Sequence, residues 1–240
     1  MIVPGVIAAG YQAGGGGTPV PETISNLLAW WDAANLNGYA DGDPIASWPN
    51  RVAGAPALAT TTGTDPVYTD AWQNGLPAVD HQRPASDTLM EAVGLFSGGD
   101  PGAADITVLA VFETQATAQN ARVITFGDTS TSPVWAYGPD SSYRFNNGSL
   151  AIGTDPATPT IYTMIKHGTL FDCSYNGVIQ LQDGSHTSIT GIADEFWIGD
   201  VDTGASNARY GEILIYDRQL NASEISQLES YLSNKWGIAV

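Results

Sequence analysis

The sequence predicts an all-β sandwich closed by one C-terminal helix. Three observations carry this. Short apolar runs recur along the body of the chain, separated by Gly, Pro, Asn and Asp turns. Asn176-Gly177 lies between two such runs and is the strongest short signal for a two-residue hairpin. Near the end, a run of strand character gives way to apolar residues spaced three and four apart. No internal repeat and no strand–helix alternation is present, which argues against a parallel α/β architecture.

Taken in order, residues 1–24 differ from the rest. "YQAGGGGTPVPET" reads as a Gly-rich linker passing into an extended Pro-rich segment, so 1–24 is taken as an anchoring arm and 25–240 as the domain. "LLAWWDA" opens the body. "DITVLAVFE" is nearly continuous in apolar residues, as expected of a central strand covered on both faces. "ARVITFG" follows, then "TPTIYTMIKHG" and "TLFDCSYNGVIQLQ". In the last of these Phe171, Cys173 and Tyr175 alternate with Asp172 and Ser174. "DEFWIGD" and "ARYGEILIYD" complete the strands. Asn221 then stands as an N-cap, with Glu224 three residues on as the second half of a capping box. Leu220 and Ile225 occupy staple positions. Ile225, Leu228, Leu232 and Trp236 share one helix face, and Gly237 is the stop, so the spacing predicts a helix over 221–235. Leu109, Val111, Ile124, Phe171, Cys173, Ile213, Ile215 and Leu228 are the expected core.

Composition narrows function. At 240 residues the chain can bury a substantial core. Eight Lys plus Arg against 25 Asp plus Glu give a net charge of −17, a surface that repels nucleic acid and anionic membranes. No apolar run is long enough to span a bilayer. The first ten residues lack a basic start, so a signal peptide is not expected. Cys173 is the single cysteine, which excludes an intrachain disulfide.

Several segments carry a family resemblance. They are "LAWWDAANLNGYADGDPIASWPNRVAG", "NGLPAVDH", "ITVLAVFE", "TIYTMIKHGTLFDCSYNGV", "FWIGD" and "GEILIYDRQLNASEISQLESYLSNKWG". In this order they resemble the concanavalin A-like lectin/glucanase superfamily, in its laminin-G-like jelly-roll branch. The resemblance runs from about Leu27 to Gly237 and departs from the pattern at "VDHQRPASDTL". It implies a jelly-roll sandwich of two antiparallel sheets with a short C-terminal helix and an extended N-terminal arm. The superfamily hosts glycosidases, lectins, adhesion modules and viral structural proteins, so fold alone does not select a function.

Glucanases of this fold carry paired carboxylates on one strand. Here Glu195 and Asp200 are five apart and fall on opposite faces of a regular strand. His81, His167 and His186 accompany no nucleophile motif, and no catalytic residue is assigned. Asp41, Asp43, Asp200 and Asp202 stand in loops able to hold calcium, but Asp-Gly and Asp-Pro are also ordinary turn formers. No cofactor and no tightly held calcium are expected. Trp72, Trp135, Tyr137 and Tyr143 lie in loop-like surroundings and are the glycan candidates. Stacking on a sugar and capping the sandwich ends are both open to them. Trp30, Trp31, Trp48, Trp197 and Trp236 are assigned to the interior.

An apolar arm joined to a laminin-G-like sandwich also resembles phage virion proteins, such as capsid decoration proteins, head fibres and tail-associated adhesins. The expectation is therefore a non-enzymatic virion structural protein on the particle surface, displaying a lectin-like domain that touches cell-surface glycans. Its arm residues Ile2, Val3, Val6, Ile7 and Tyr11 would join other virion proteins, in a homo-oligomer or array. The alternative is a secreted bacterial carbohydrate-binding module, extracellular and monomeric.

Overall fold

The computed structural model describes residues 21–81, 88–97, 99–116, 123–127, 135–140, 142–145, 150–153, 157–185, 191–200 and 207–240, with backbone alone at 62, 115–116, 135–140, 142–145, 150–153, 200 and 207. In chain order the strands begin with β1 (Leu27–Asp32), β2 (Ser47–Trp48), β3 (Leu58–Gly63), β4 (Val67–Gln73), β5 (Leu76–Asp80) and β6 (Thr88–Val93). They continue with β7 (Ile106–Ala116), β8 (Ile124–Phe126), β9 (Trp135–Asp140), β10 (Ser142–Phe145) and β11 (Leu150–Gly153). The last are β12 (Thr160–His167), β13 (Leu170–Tyr175), β14 (Val178–Ser185), β15 (Glu195–Asp200) and β16 (Asn207–Tyr216), before helix α1 (Ala222–Trp236).

These strands form two antiparallel sheets. The first runs β14-β13-β12-β7-β16-β5-β4, with β1 also on β16. The second runs β11-β10-β9-β8-β15-β6-β3-β2. The expected sandwich and its C-terminal helix are what the structure shows. The Thr-rich β3 and the half-exposed β4 are strands that apolar runs alone do not mark. β6 also escapes that reading, because its apolar run is interrupted by Glu91.

Period-2 alternation makes the first sheet the middle of three layers. Val108, Ala110 and Phe112 of β7 enter the core between the sheets, while Leu109 and Val111 face α1. On β16, Ile213 and Ile215 point inward, and Leu214 and Tyr216 point to the helix. On β1, Trp31 joins the sandwich core and Trp30 the helix layer. All eight expected core residues are buried. The turn Pro21–Thr23 belongs to this body too. Pro21 is buried, its carbonyl accepts from the Tyr216 hydroxyl at 3.1 Å, and Ile24 packs in the helix layer.

The helix begins as the capping residues dictate. Asn221 Oδ1 accepts from the Ser223 and Glu224 amides at 3.0 and 3.1 Å, and Glu224 Oε2 accepts from the Asn221 amide at 2.9 Å. It ends at Gly237, in the left-handed region at φ 66. Asn221→Ala is expected to cost about 1 kcal/mol of unfolding free energy in urea. An unchanged midpoint would mean the cap contributes nothing.

A polar cluster is sealed between α1 and the first sheet. Glu212 is fully buried and meets four donors. Its Oε1 accepts from Trp30 Nε1 at 2.7 Å and the Tyr231 hydroxyl at 2.9 Å. Its Oε2 accepts from Lys235 Nζ and Trp236 Nε1, both at 2.8 Å. Lys235 also reaches Asp32 Oδ1 at 2.7 Å, and Asp32 Oδ2 accepts from Arg51 at 2.8 Å. The Arg51 guanidinium lies over the Trp30 ring, 3.4 Å from its centroid. Burial pushes the Glu212 carboxyl up and the Asp32 charge adds to this, while Lys235 and the Trp236 indole pull it down. The cluster ties β1, β16 and α1 together.

His81 follows β5 and is buried. Its Nδ1 lies 3.2 Å from the Thr88 carbonyl oxygen, and its ring meets Tyr210 edge-on. Burial lowers its pKa from 6.5 to about 4, so the folded protein keeps it neutral. An unfolded chain takes up a proton at His81 below about 6.5 that the fold refuses until about 4, so stability falls as pH drops through that window. The loss attributable to this ring approaches about 3 kcal/mol at pH 4. In His81→Gln it vanishes, and the stability gap between the two proteins narrows by that amount between pH 7 and 4. A gap that is constant with pH would refute this.

Candidate functional site

Helix α1 does not cover the first sheet to its edge. Between its first two turns and the outer face of β12–β14 lies a cleft of about 410 Å³. The alternation that buries Phe171, Cys173 and Tyr175 sends Asp172 and Ser174 to this side, and on β12 it sends Thr163 and Ile165. From the helix come Ile225, Ser226 and Glu229, and from the edge strand Ile179, Leu181 and Gln182. Ile179 is 65% exposed, at the rim.

Glu229 forms the floor and is 8% exposed. Its Oε1 accepts from Thr163 Oγ1 at 2.7 Å and from Ser174 Oγ at 3.2 Å. No described residue donates to its Oε2. The Asn176-Gly177 hairpin closes one end, both residues at positive φ. Asn176 Oδ1 accepts from the Ile161 amide at 2.8 Å, and a side chain at Gly177 would meet Glu229 Oε2 at 3.6 Å. Among the described lining residues there is no Lys or Arg.

Asp172 connects the cleft to a second group of polar residues. His167 Nε2 lies 3.1 Å from Asp172 Oδ2, and Asp172 Oδ1 accepts from the Asp183 amide at 2.6 Å. Ligand atoms of His167, Asp172 and Asp183 all fall within 4.8 Å of one another, close enough to share one cation. Sequence reading missed both features. Glu229 reads as one more solvated helix carboxylate. The signal that could have found it is its place next to Leu228 and one turn beyond Ile225, at the edge of the apolar face.

None of the described glycan or calcium candidates lines this cleft. Trp72 sits on β4, half-buried, with its Nε1 donating to Glu113 Oε2 at 2.7 Å and its ring 5.8 Å from that of Trp236. Trp135 and Tyr137 are on β9, in register with Phe126 and Ile124, and Tyr143 is on β10. Their side chains lie outside the described residues. Asp41 Oδ1 accepts from the Asp70 amide of β4 at 3.1 Å, which ties its loop to that strand, and Asp43 Oδ2 accepts from the Ala40 amide at 2.7 Å, which closes the turn. The Asp200 side chain, Asp202, His186 and the arm residues Ile2, Val3, Val6, Ile7 and Tyr11 lie outside the described residues.

No protein-family model matches the chain, and no curated protein matches it. Solved structures do. Trypanosoma rangeli sialidase in complex with sialic acid is 12% identical, with a TM-score of 0.54 over 88% of this chain and 33% of its own. The chain thus spans about a third of the sialidases it matches. Domain 4 of an extracellular arabinanase from Geobacillus stearothermophilus, in complex with arabinotriose, is 12% identical at a TM-score of 0.56. That match covers 85% of this chain and 98% of that domain. The botulinum neurotoxin serotype G binding domain is also 12% identical, with a TM-score of 0.57 over 88% of this chain and 54% of its own. At such identities the likeness is one of fold, a β-sandwich. None of these three is a phage protein.

The likeness corrects one expectation, that the chain is not an enzyme. That expectation rested on the lack of a nucleophile motif beside His81, His167 and His186 and on one strand, where Glu195 and Asp200 were set on opposite faces by regular alternation. Gly199, between them, has φ +84, outside the extended region that alternation assumes. The same sandwich occurs within sialidase chains, so neither the fold nor that one strand sets catalysis aside.

Proposed function

We propose that this chain is a carbohydrate-binding β-sandwich domain. The observation that carries the reading is the match to the arabinanase domain, which is covered over 98% of its length and is seen with arabinotriose. The cleft beside α1 supports it, because it combines a polar floor with aliphatic walls at the scale of one or two sugar rings. The test is a screen of the full chain against neutral and sialylated oligosaccharides, followed by calorimetry on the hits. Saturable binding of a defined saccharide supports the reading, and its absence across the screen refutes it.

The finer reading is display of this domain on a virion surface through residues 1–24. Its support is the sequence of the arm, whose apolar residues precede a four-glycine run. A chain beginning at Pro21, which keeps the packed Pro21–Thr23 turn, is expected to unfold at an unchanged temperature yet fail to join particles or oligomers. If it still assembles, the extracellular module becomes the better reading.

A further inference from the structure

We propose that the cleft between α1 and β12–β14 is the saccharide subsite, and that it takes an uncharged, hydroxyl-rich ligand. This rests on the carbohydrate-binding reading above. The central observation is Glu229, more than nine-tenths buried, with one oxygen engaged by two hydroxyls and the other by no described donor. The second oxygen is left to the cleft, where a hydroxyl donor can take the place of water and make a charge-assisted hydrogen bond to a carboxylate already held in place by Thr163 and Ser174.

The neighbours set what kind of donor fits. The Thr163 and Ser174 hydroxyls direct their protons to Glu229 Oε1, so toward the cleft they offer lone pairs. The floor is therefore a set of acceptors, which suits adjacent hydroxyls of a sugar. Gln182 and Gln219 line the sides and can both give and accept. Ile179, Leu181 and Ile225 form apolar walls for the C–H faces of a ring.

Charge sets the class. The described lining carries two carboxylates, Asp172 and Glu229, and no cation. An acidic sugar would bring a carboxylate into this field with nothing to pair it, so sialylated ligands are rejected and neutral ones accepted. A cationic ligand is the remaining competitor for the floor, and ionic strength separates the two. Affinity for a cation falls with added salt, whereas that for a neutral sugar does not.

The experiment titrates arabinotriose, a panel of other neutral oligosaccharides, and sialyllactose into the full chain and two variants, at low and high salt. Glu229→Gln keeps an acceptor for Thr163 and Ser174 but replaces the cleft-facing oxygen by an amide donor. Ser226→Trp, on the exposed side of the helix, fills the cleft. The expected result is binding of a neutral saccharide that is insensitive to salt. It should weaken at least about tenfold in Glu229→Gln and be lost in Ser226→Trp, with both melting temperatures within about two degrees of the parent. Amide shifts confined to β12–β14 and the first turns of α1 would locate the ligand independently of either variant. If the chain binds saccharide but both variants retain full affinity, the cleft is not the site and the carbohydrate-binding reading still stands. If sialyllactose is preferred, or affinity falls with salt, the neutral class is wrong. If no saccharide binds, both readings fall together.

Discussion

Lys235→Met destabilises the domain by about 3–5 kcal/mol, measured as the change in unfolding free energy in urea. The size follows from what is left behind. Lys235 Nζ contacts Glu212 at 2.8 Å and Asp32 at 2.7 Å, and both carboxylates are almost wholly buried. Without the ammonium, Glu212 keeps its two indole donors and the Tyr231 hydroxyl but no opposite charge. Asp32 keeps Arg51, so the damage is concentrated at Glu212. Adding Glu212→Gln to Lys235→Met is expected to recover part of the loss, because the unpaired charge is then gone. A cost below about 1 kcal/mol for Lys235→Met would mean that the cluster is hydrated and does not pin the helix.

Gly199→Ala is the second large effect, about 3 kcal/mol or more, with loss of the folded state as its extreme. Two independent penalties meet there. The backbone is at φ +84, where an L side chain is strained, and a Cβ would run into the Thr88 carbonyl oxygen and the His81 ring, 2.6 Å from its Nδ1. Gly42 provides the control. It has nearly the same φ, +85, and nothing within 4 Å of a Cβ. Gly42→Ala should therefore cost only the conformational part, about 1 kcal/mol. Equal effects at the two positions would show that the close packing around Gly199 is not there.

Much of the architecture was legible before the structure. The helix, its cap at Asn221, its stop at Gly237 and the Asn176-Gly177 hairpin follow from local rules, and local rules suffice because their partners lie within four residues. The two-faced burial of β7 could be read because its apolar run has no polar gap from Ile106 to Phe112 other than Thr107. What sequence could not supply are meetings across long separations. Glu212 reads as a solvated carboxylate in "YGEILIYD", yet its partners Trp30 and Lys235 come from opposite ends of the body. Glu229 gains its meaning only when β12 and β13 bring Thr163 and Ser174 beneath it. Trp72 reads as a loop aromatic because β4 is a half-exposed edge strand with weak alternation. Its true neighbours, Glu113 and Trp236, are far off in the chain.

The place of β16 in the first sheet has a consequence for synthesis. This strand lies between β7 on one side and β1 and β5 on the other, and it is followed at once by the helix that covers the outer face. While the ribosome is still making residues 207–236, β1 lacks the strand it pairs with, β5 has β4 alone beside it, and Trp30, Leu109 and Val111 lack the helix that covers them. The nascent chain therefore carries an open apolar face until its final strand and helix emerge, and assembly of that sheet waits for them. Folding of this domain is a late event dominated by contacts between distant residues, and the interval before β16 arrives is when the chain is most exposed to aggregation and most dependent on chaperones.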